Sequence, residues 1–390
     1  MKQLCIIGSE YAGQNIVRGT EGEFTLEGQT LRFGIVETEA KQFDADAAEM
    51  ADFVCLRVTA FSCNYRDRSF MLHMRNSRFR KNYFVIGSEF CGEVVAVGQN
   101  VTAFNPGDRV LANCAYPDSG AEGVMPGIPT NQSSREMQIV HQTKLLKVPD
   151  SMPYSVAGGF SIGGQTAYGM VRRLGLTAGE NVLVTGAKSN TSLFAIAALK
   201  NYNVNIYALS RSPAHSDELK ALGVKELIVN DPSEPGWSSR GELAERVRQL
   251  EGFDAMVDPF SDVHLAEIPS VLGMGGRHIT CGIVDQHSGV LEKEAIVPRV
   301  DPSRLMGSML AKNITIMGNC LGRTSDLQNA IDDYASGKLR VPTNAYLAYT
   351  ETGEFFYETF LNRDRFGKTV MEYDKPTVGV ATSERMFEPA

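Results

Sequence analysis

The chain has 390 residues, more than one hydrophobic core ordinarily organises, so two domains are expected. Hydrophobic residues make up 43% and charged residues 22%, the balance of a globular protein, and a formal net charge of −8 argues against a nucleic-acid partner. No apolar run approaches the ~18 residues of a membrane helix, and seven scattered cysteines fit neither a disulfide framework nor a zinc knuckle. The opening MKQLCIIGSEYAG holds too short an apolar stretch for a secretory signal, so a cytoplasmic protein is expected.

In chain order, FTLEGQTLRFGIVE places Gly28 at a turn between two strands, and FVCLRVTAFS reads as a strongly apolar strand. The densest basic stretch, Arg75 to Lys81, reads as a solvated face or as an anion or partner site. Gly87, Gly92, Gly98 and Gly107 then punctuate short β segments, which suggests a barrel-like β domain. From Ala112 to Ser134 the composition shifts to Pro, Gly, Asp, Asn and Ser, the mark of a long surface loop that shapes substrate entry or is an inert insertion.

Near residue 155 the pattern changes. GGQTAYGMVRRLGL predicts a helix starting between Gly163 and Thr166. Strands NVLVT, VNIYALS, ELIVN, FDAMVDP, GGRHITCGI and NITIMGN then alternate with the helical SLFAIAALKNY, SDELKALG and GELAERVRQL. Such alternation implies an α/β domain of the Rossmann type, a doubly wound parallel sheet with helices on both faces. Lys375 to Ala390 is polar and reads as an extended tail.

A Rossmann domain holds a dinucleotide where its first strand meets its first helix, because free N–H groups and the helix dipole attract pyrophosphate there. In this chain that segment runs from Val184 to Leu193 and lacks G-x-G-x-x-G. Gly186 remains, followed by Lys188, Ser189, Asn190, Thr191 and Ser192. Their side chains either bond phosphate or merely cap a helix. The second strand ends Leu209-Ser210-Arg211-Ser212, with no carboxylate before Asp217 to receive ribose hydroxyls. Ser210 leaves room and Arg211 offers a fork to a 2′-phosphate, which favours NADPH; Lys188 is a second cation for it. The alternative for Arg211 is a surface residue.

Across its length the chain resembles the medium-chain dehydrogenase/reductase superfamily, in its zinc-independent branch. The residues carrying the resemblance are Gly87-Ser88-Glu89, Gly92 to Gly98, Pro106 to Val110, Lys147 to Asp150 and Thr166-Ala167-Tyr168, then Leu183 to Ala187, Gly275-Gly276-Arg277 and Gly367-Lys368. The resemblance implies a GroES-like β-barrel catalytic domain from residues 1–155 and 325–390, with a Rossmann NADP(H) domain, 156–324, inserted between them. It also implies a cleft active site and homodimers joined near Ile279 and Ile316. Where zinc-dependent members carry Cys in C-G-x-D, His in G-H-E and a later ligand, this chain has Asn64, Ser88 and the pair Gly158-Gly159. Cys114 stands alone where a structural zinc lobe needs four cysteines. No metal is therefore expected. Cys63, with no His beside it, reads as a buried inert thiol.

Asn64-Tyr65-Arg66-Asp67 resembles the N-[FY]-x-D motif of zinc-free quinone, alkenal and enoyl-thioester reductases. The implied reaction is NADPH-dependent reduction of an activated C=C bond, the enolate being held by hydrogen bonds. Tyr65 is the candidate for bonding the carbonyl or donating a proton, or it packs on the cleft wall. Asn64 is the candidate for touching substrate or ribose, and Asp67 for orienting backbone or Arg66 or for transferring a proton. Thr166, Cys281, Gly282 and Ile283 would flank the nicotinamide. Two alternatives stay open: reduction of a C=N or C=O bond in a specialised metabolite, and nucleotide binding without turnover.

Overall fold

Six short apolar segments between residues 181 and 318 form one sheet in which every pairing is parallel. They are β1 (Asn181–Val184), β2 (Asn205–Ser210), β3 (Glu226–Val229), β4 (Phe253–Asp258), β5 (Leu272–Thr280) and β6 (Thr315–Gly318), ordered β3-β2-β1-β4-β5-β6. The computed structural model describes residues 1–73, 79–232, 234, 236–284 and 300–375. Most of the basic stretch Arg75 to Lys81 and nearly all of the expected tail lie outside these residues.

Successive side chains of a strand point to opposite faces, and β1 uses both. Val182 and Val184 join a core with Leu193 and Phe194 of helix Asn190–Leu199, while Leu183 joins Tyr207, Phe253 and Met256 on the other face. Burial on both faces explains why β1 reads as a continuous apolar run rather than an alternating one. The helix expected from Gly163 to Thr166 begins earlier, at Ser161, and runs to Arg173. Gly163 and Gly164 do not mark its start. A Cβ at Gly163 would lie 2.7 Å from the Phe194 ring, so the glycine lets two helices approach closely.

Strands from both ends of the chain build the second body. Phe53–Ser62 pairs antiparallel with Glu89–Val97, with Met137–His141 and, at its far end, with Lys368–Glu372. Arg109–Ala112 and Leu145–Lys147 extend this sheet on one side and Thr343–Ala348 on the other. A further sheet sets Lys2–Ile7 between Gln29–Glu37 and Tyr83–Val85, with Gly22–Leu26 outermost. Glu27 (φ +49°) and Gly28 (φ +70°) supply the left-handed turn of its hairpin. Phe33, Phe61, Phe90, Phe355 and Phe356 fill the core between these sheets. Among the described residues no helix is long and apolar enough to cross a membrane.

Candidate active site in the cleft between barrel and parallel sheet

On the barrel wall, strand Phe53–Ser62 ends at Cys63 and delivers Asn64, Tyr65 and Asp67 to the helix Asp67–His73. Asp67 accepts hydrogen bonds from the Asn64 N–H and the Ser88 hydroxyl, both at 2.6 Å. Burial pushes its carboxyl above the usual range, against the pull of these two bonds. The carboxylate is turned onto Asn64 and Ser88, and Arg66 instead donates to Asn131 at 2.8 Å, tying the cleft to the 112–134 loop.

Behind them lies Glu89, fully buried. Its carboxylate accepts from the Ser62 hydroxyl (2.8 Å), the Asn64 side-chain amide (2.9 Å) and the Ile162 N–H (2.9 Å), and forms an ion pair with the Lys368 ammonium (2.6 Å). Lys368 also donates to Asn64 Oδ1 at 2.6 Å. Its stem runs over Gly159, where a Cβ would lie 2.5 Å from Lys368 Cγ, so only glycine leaves it room.

Tyr65 crosses the cleft. Its hydroxyl donates to the Val284 carbonyl at 3.0 Å and its ring meets Phe260 edge-on at 5.5 Å, both residues belonging to the opposite wall. Cys63 is buried, and burial raises its thiol well above the ordinary value.

The Rossmann wall is built at the C-terminal ends of β1 and β4, where the strand order reverses and a crevice opens. Gly186 takes a positive φ (+54°) that turns the chain toward the helix. Ser189 caps that helix, its hydroxyl accepting from the Ser192 N–H at 3.2 Å. The Ser192 hydroxyl, buried, donates to the Thr185 carbonyl at 2.7 Å. These two serines therefore hold the loop's own backbone. Asn190 donates to the Gly159 carbonyl at 3.2 Å, while its Oδ1 is buried without a partner.

Under the loop sits Asp258, also fully buried. It accepts from Thr185 Oγ1 (2.6 Å), the Phe260 N–H (3.0 Å) and His264 Nδ1 (3.0 Å), with His278 Nε2 at 3.2 Å. Burial alone would raise its carboxyl. The imidazoles of His264 and His278 outweigh burial and hold it well below the usual range.

At the rim, Lys188 Nζ lies 3.3 Å from Ser212 Oγ and 3.6 Å from Asp364 Oδ1, beside Ser210 and the exposed Arg211. The Gly367 N–H donates to the Lys188 carbonyl (3.1 Å), and Phe366 stacks on His215 with ring centres 4.6 Å apart. Thr166 is buried on the helix Ser161–Arg173, and Thr191 is half-buried in the first turn of its neighbour. Past the end of β5, burial pushes the Cys281 thiol up to about 12, the Gly282 carbonyl accepts from the Ser261 N–H (3.1 Å), and Ile283 is exposed. Sequence reasoning assigned no role to Glu89, Lys368 or Asp258. The available signal was a charge inside an apolar strand (Asp258) or beside a conspicuous glycine (Lys368).

Residues 51–150 match the family model of the alcohol dehydrogenase GroES-like domain, and residues 191–336 that of zinc-binding dehydrogenases. A quinone oxidoreductase-like protein 2 homolog of Nematostella vectensis is 33% identical over 74% of this chain and 73% of its own. The chain belongs to the medium-chain dehydrogenase/reductase superfamily. An acryloyl-coenzyme A reductase of Metallosphaera sedula is another similar member, 25% identical over 82% of this chain and 91% of its own. The solved structure of a 2-octenoyl-CoA carboxylase reductase, in complex with NADP and 2-octenoyl-CoA, shares the fold with a TM-score of 0.69 at 19% identity, covering 97% of this chain and 88% of that one.

Membership makes the protein a nicotinamide-dependent oxidoreductase, and its Rossmann wall fits a dinucleotide. The left-handed glycine opens the loop, and the orphaned Asn190 oxygen is a buried acceptor for which a coenzyme hydroxyl or amide supplies a donor. Zinc does not fit. The positions of the expected ligands hold an amide, a hydroxyl and a glycine, and an ammonium group in contact with the amide and with Glu89 would repel a dication.

Proposed function

We propose that this dehydrogenase/reductase is an NADPH-dependent, metal-independent reductase of an activated C=C bond, such as an enoyl thioester, enone or quinone. The observation that carries the reading is the donor set at the cleft floor. Hydrogen-bond donors are held there in place of a Lewis acid, which suits conjugate reduction, where charge develops on a carbonyl oxygen remote from the reacting carbon. The names of the similar reductases, acting on acryloyl-CoA and 2-octenoyl-CoA, support a thioester substrate.

Bound NADPH supplies the hydride. Lys188, Ser210, Ser212 and Arg211 favour its 2′-phosphate, because the end of β2 offers no carboxylate to an unphosphorylated ribose. The Gly186–Thr191 loop receives the pyrophosphate, and Thr166 with Cys281 to Ile283 lines the nicotinamide. Tyr65 and Asn64 face the substrate while Asp67 positions Asn64. Met274 on β5 and Met306 and Leu310 on the helix Pro302–Lys312 that precedes β6 are exposed, and these apolar side chains support homodimers formed through the Rossmann domain. Ile279, in contrast, is fully buried.

Consumption of NADPH is to be measured against enoyl thioesters, enones, quinones and cyclic imines. Turnover of a conjugated acceptor is the expected result, and turnover of the imines alone would overturn the reading. NADPH at a hundredfold excess over Kd should stabilise the fold by about 2.7 kcal/mol, with NADH doing less at equal concentration.

A further inference from the structure

We infer that Lys368 is a catalytic residue whose ammonium group, clamped between Asn64 and Glu89, holds the oxyanion that forms on the substrate carbonyl; this rests on the proposed conjugate reduction. An ammonium has three N–H donors. Asn64 Oδ1 accepts from one of them at 2.6 Å and Glu89 Oε1 pairs with the charge at 2.6 Å, which leaves a donor for a substrate oxygen. A buried cation is costly unless it is paired and well bonded, and Glu89 meets that condition, its carboxylate held in place by three hydrogen-bond donors besides the lysine. Everything around the lysine is arranged to hold it still: Asp67 fixes Ser88 and Asn64, Asn64 bridges to Glu89, and Gly159 vacates the space for its stem.

The location belongs to the cleft. Asn64 precedes Tyr65, which touches Val284 and Phe260 of the far wall. Gly159 bonds Asn190 of the nucleotide loop, and Gly367, next to the lysine, bonds Lys188 of that loop. The cationic charge thus sits at the junction of barrel and coenzyme loop, among the positions of a metal whose ligands this chain lacks.

In the step this predicts, hydride from NADPH forms a C–H bond at the β carbon. The C=C π pair moves to the α carbon and carbonyl, giving an enolate whose oxygen accepts from the remaining donor of Lys368. The α carbon then takes a proton from solvent and the carbonyl is restored. The acceptor gains two electrons and two hydrogens, NADPH becomes NADP⁺, and one proton is consumed. Removing a prepositioned oxyanion donor costs on the order of 10²–10³ in turnover.

The test uses Lys368→Met, Lys368→Arg and the charge-neutral double variant E89Q/K368M. The double variant guards against a fold weakened by an unpaired Glu89. Turnover of the preferred acceptor, calorimetric Kd for NADPH and binding of 4-nitrophenol, whose absorbance reports its ionisation, are read on each. The expected result is a loss of roughly 10²–10³ in kcat for both methionine variants, partial retention by the arginine variant, and an NADPH Kd within twofold of the parent. The parent should bind 4-nitrophenol as the phenolate and the methionine variants should not. Full turnover in E89Q/K368M would reduce Lys368 to a structural ion pair, and a matching loss of NADPH affinity would assign it to the coenzyme; either overturns the inference. If the parent binds phenolate through Lys368 yet reduces no conjugated acceptor, the oxyanion site stands and the proposed reaction falls.

Discussion

Each wall of the cleft holds a carboxylate with no exposure to solvent, Glu89 in one and Asp258 in the other, and the two are balanced differently. Glu89 in the barrel faces a full opposite charge, Lys368, whereas Asp258 under the nucleotide loop faces two imidazoles, His264 and His278, and the Thr185 hydroxyl. On the barrel side the anion pairs with an ammonium, and on the Rossmann side it accepts from Thr185, next to the backbone that turns at Gly186. Both carboxylates are organisers, and neither needs to react.

The sharpest way to break the comparison is Glu89→Ala. It strands the Lys368 charge and removes the acceptor of Asn64 and Ile162, so denaturant unfolding should show a loss of about 3–5 kcal/mol. Asp258→Asn, which keeps shape and some bonds, should cost less, about 1–3 kcal/mol near neutral pH. Its sign with pH follows from a carboxyl held below its unfolded value of 3.8. The stabilisation is present above about pH 4 and is lost as pH falls below it. Acid unfolding curves should therefore converge for parent and D258N, and a gap that widened in acid would contradict the assignment.

Smaller effects test the exposed rim of the Rossmann wall. Lys188→Ala and Arg211→Ala should each raise the Kd for NADPH roughly tenfold and leave that for NADH nearly unchanged. Equal losses for both coenzymes would remove these cations from the 2′-phosphate site. Smallest of all, Ser189→Ala should lower stability by about 1 kcal/mol through the lost helix cap. Because its hydroxyl already serves Ser192, titration calorimetry should find coenzyme affinity little changed.

Where burial is two-sided or a turn has special geometry, the fold was legible in the sequence. β1 is a continuous apolar run buried on both faces, and the hairpin at Gly28 has left-handed residues at its turn. Lys2–Ile7 was not, because four apolar residues at a chain start look alike whether they end in a sheet or in solvent. Within the site, Asn64, Tyr65 and the glycine substitutions could be picked out because a local motif frames them. Lys368 meets Asn64 across 304 positions, and Asp258 meets Thr185 across 73, so no spacing rule joins them. The serines of the loop are ambiguous for another reason. A hydroxyl suited to phosphate is equally suited to its own backbone, and Ser192 is turned inward.

The stretch from Arg363 to Lys368 touches the coenzyme loop with one end and carries the ammonium at the other. Asp364 reaches Lys188, Phe366 leans on His215, Gly367 bonds the Lys188 backbone, and one residue later the chain enters the barrel strand. The carboxylate beside Lys188 and the ammonium bonded to Asn64 therefore belong to one short segment of chain.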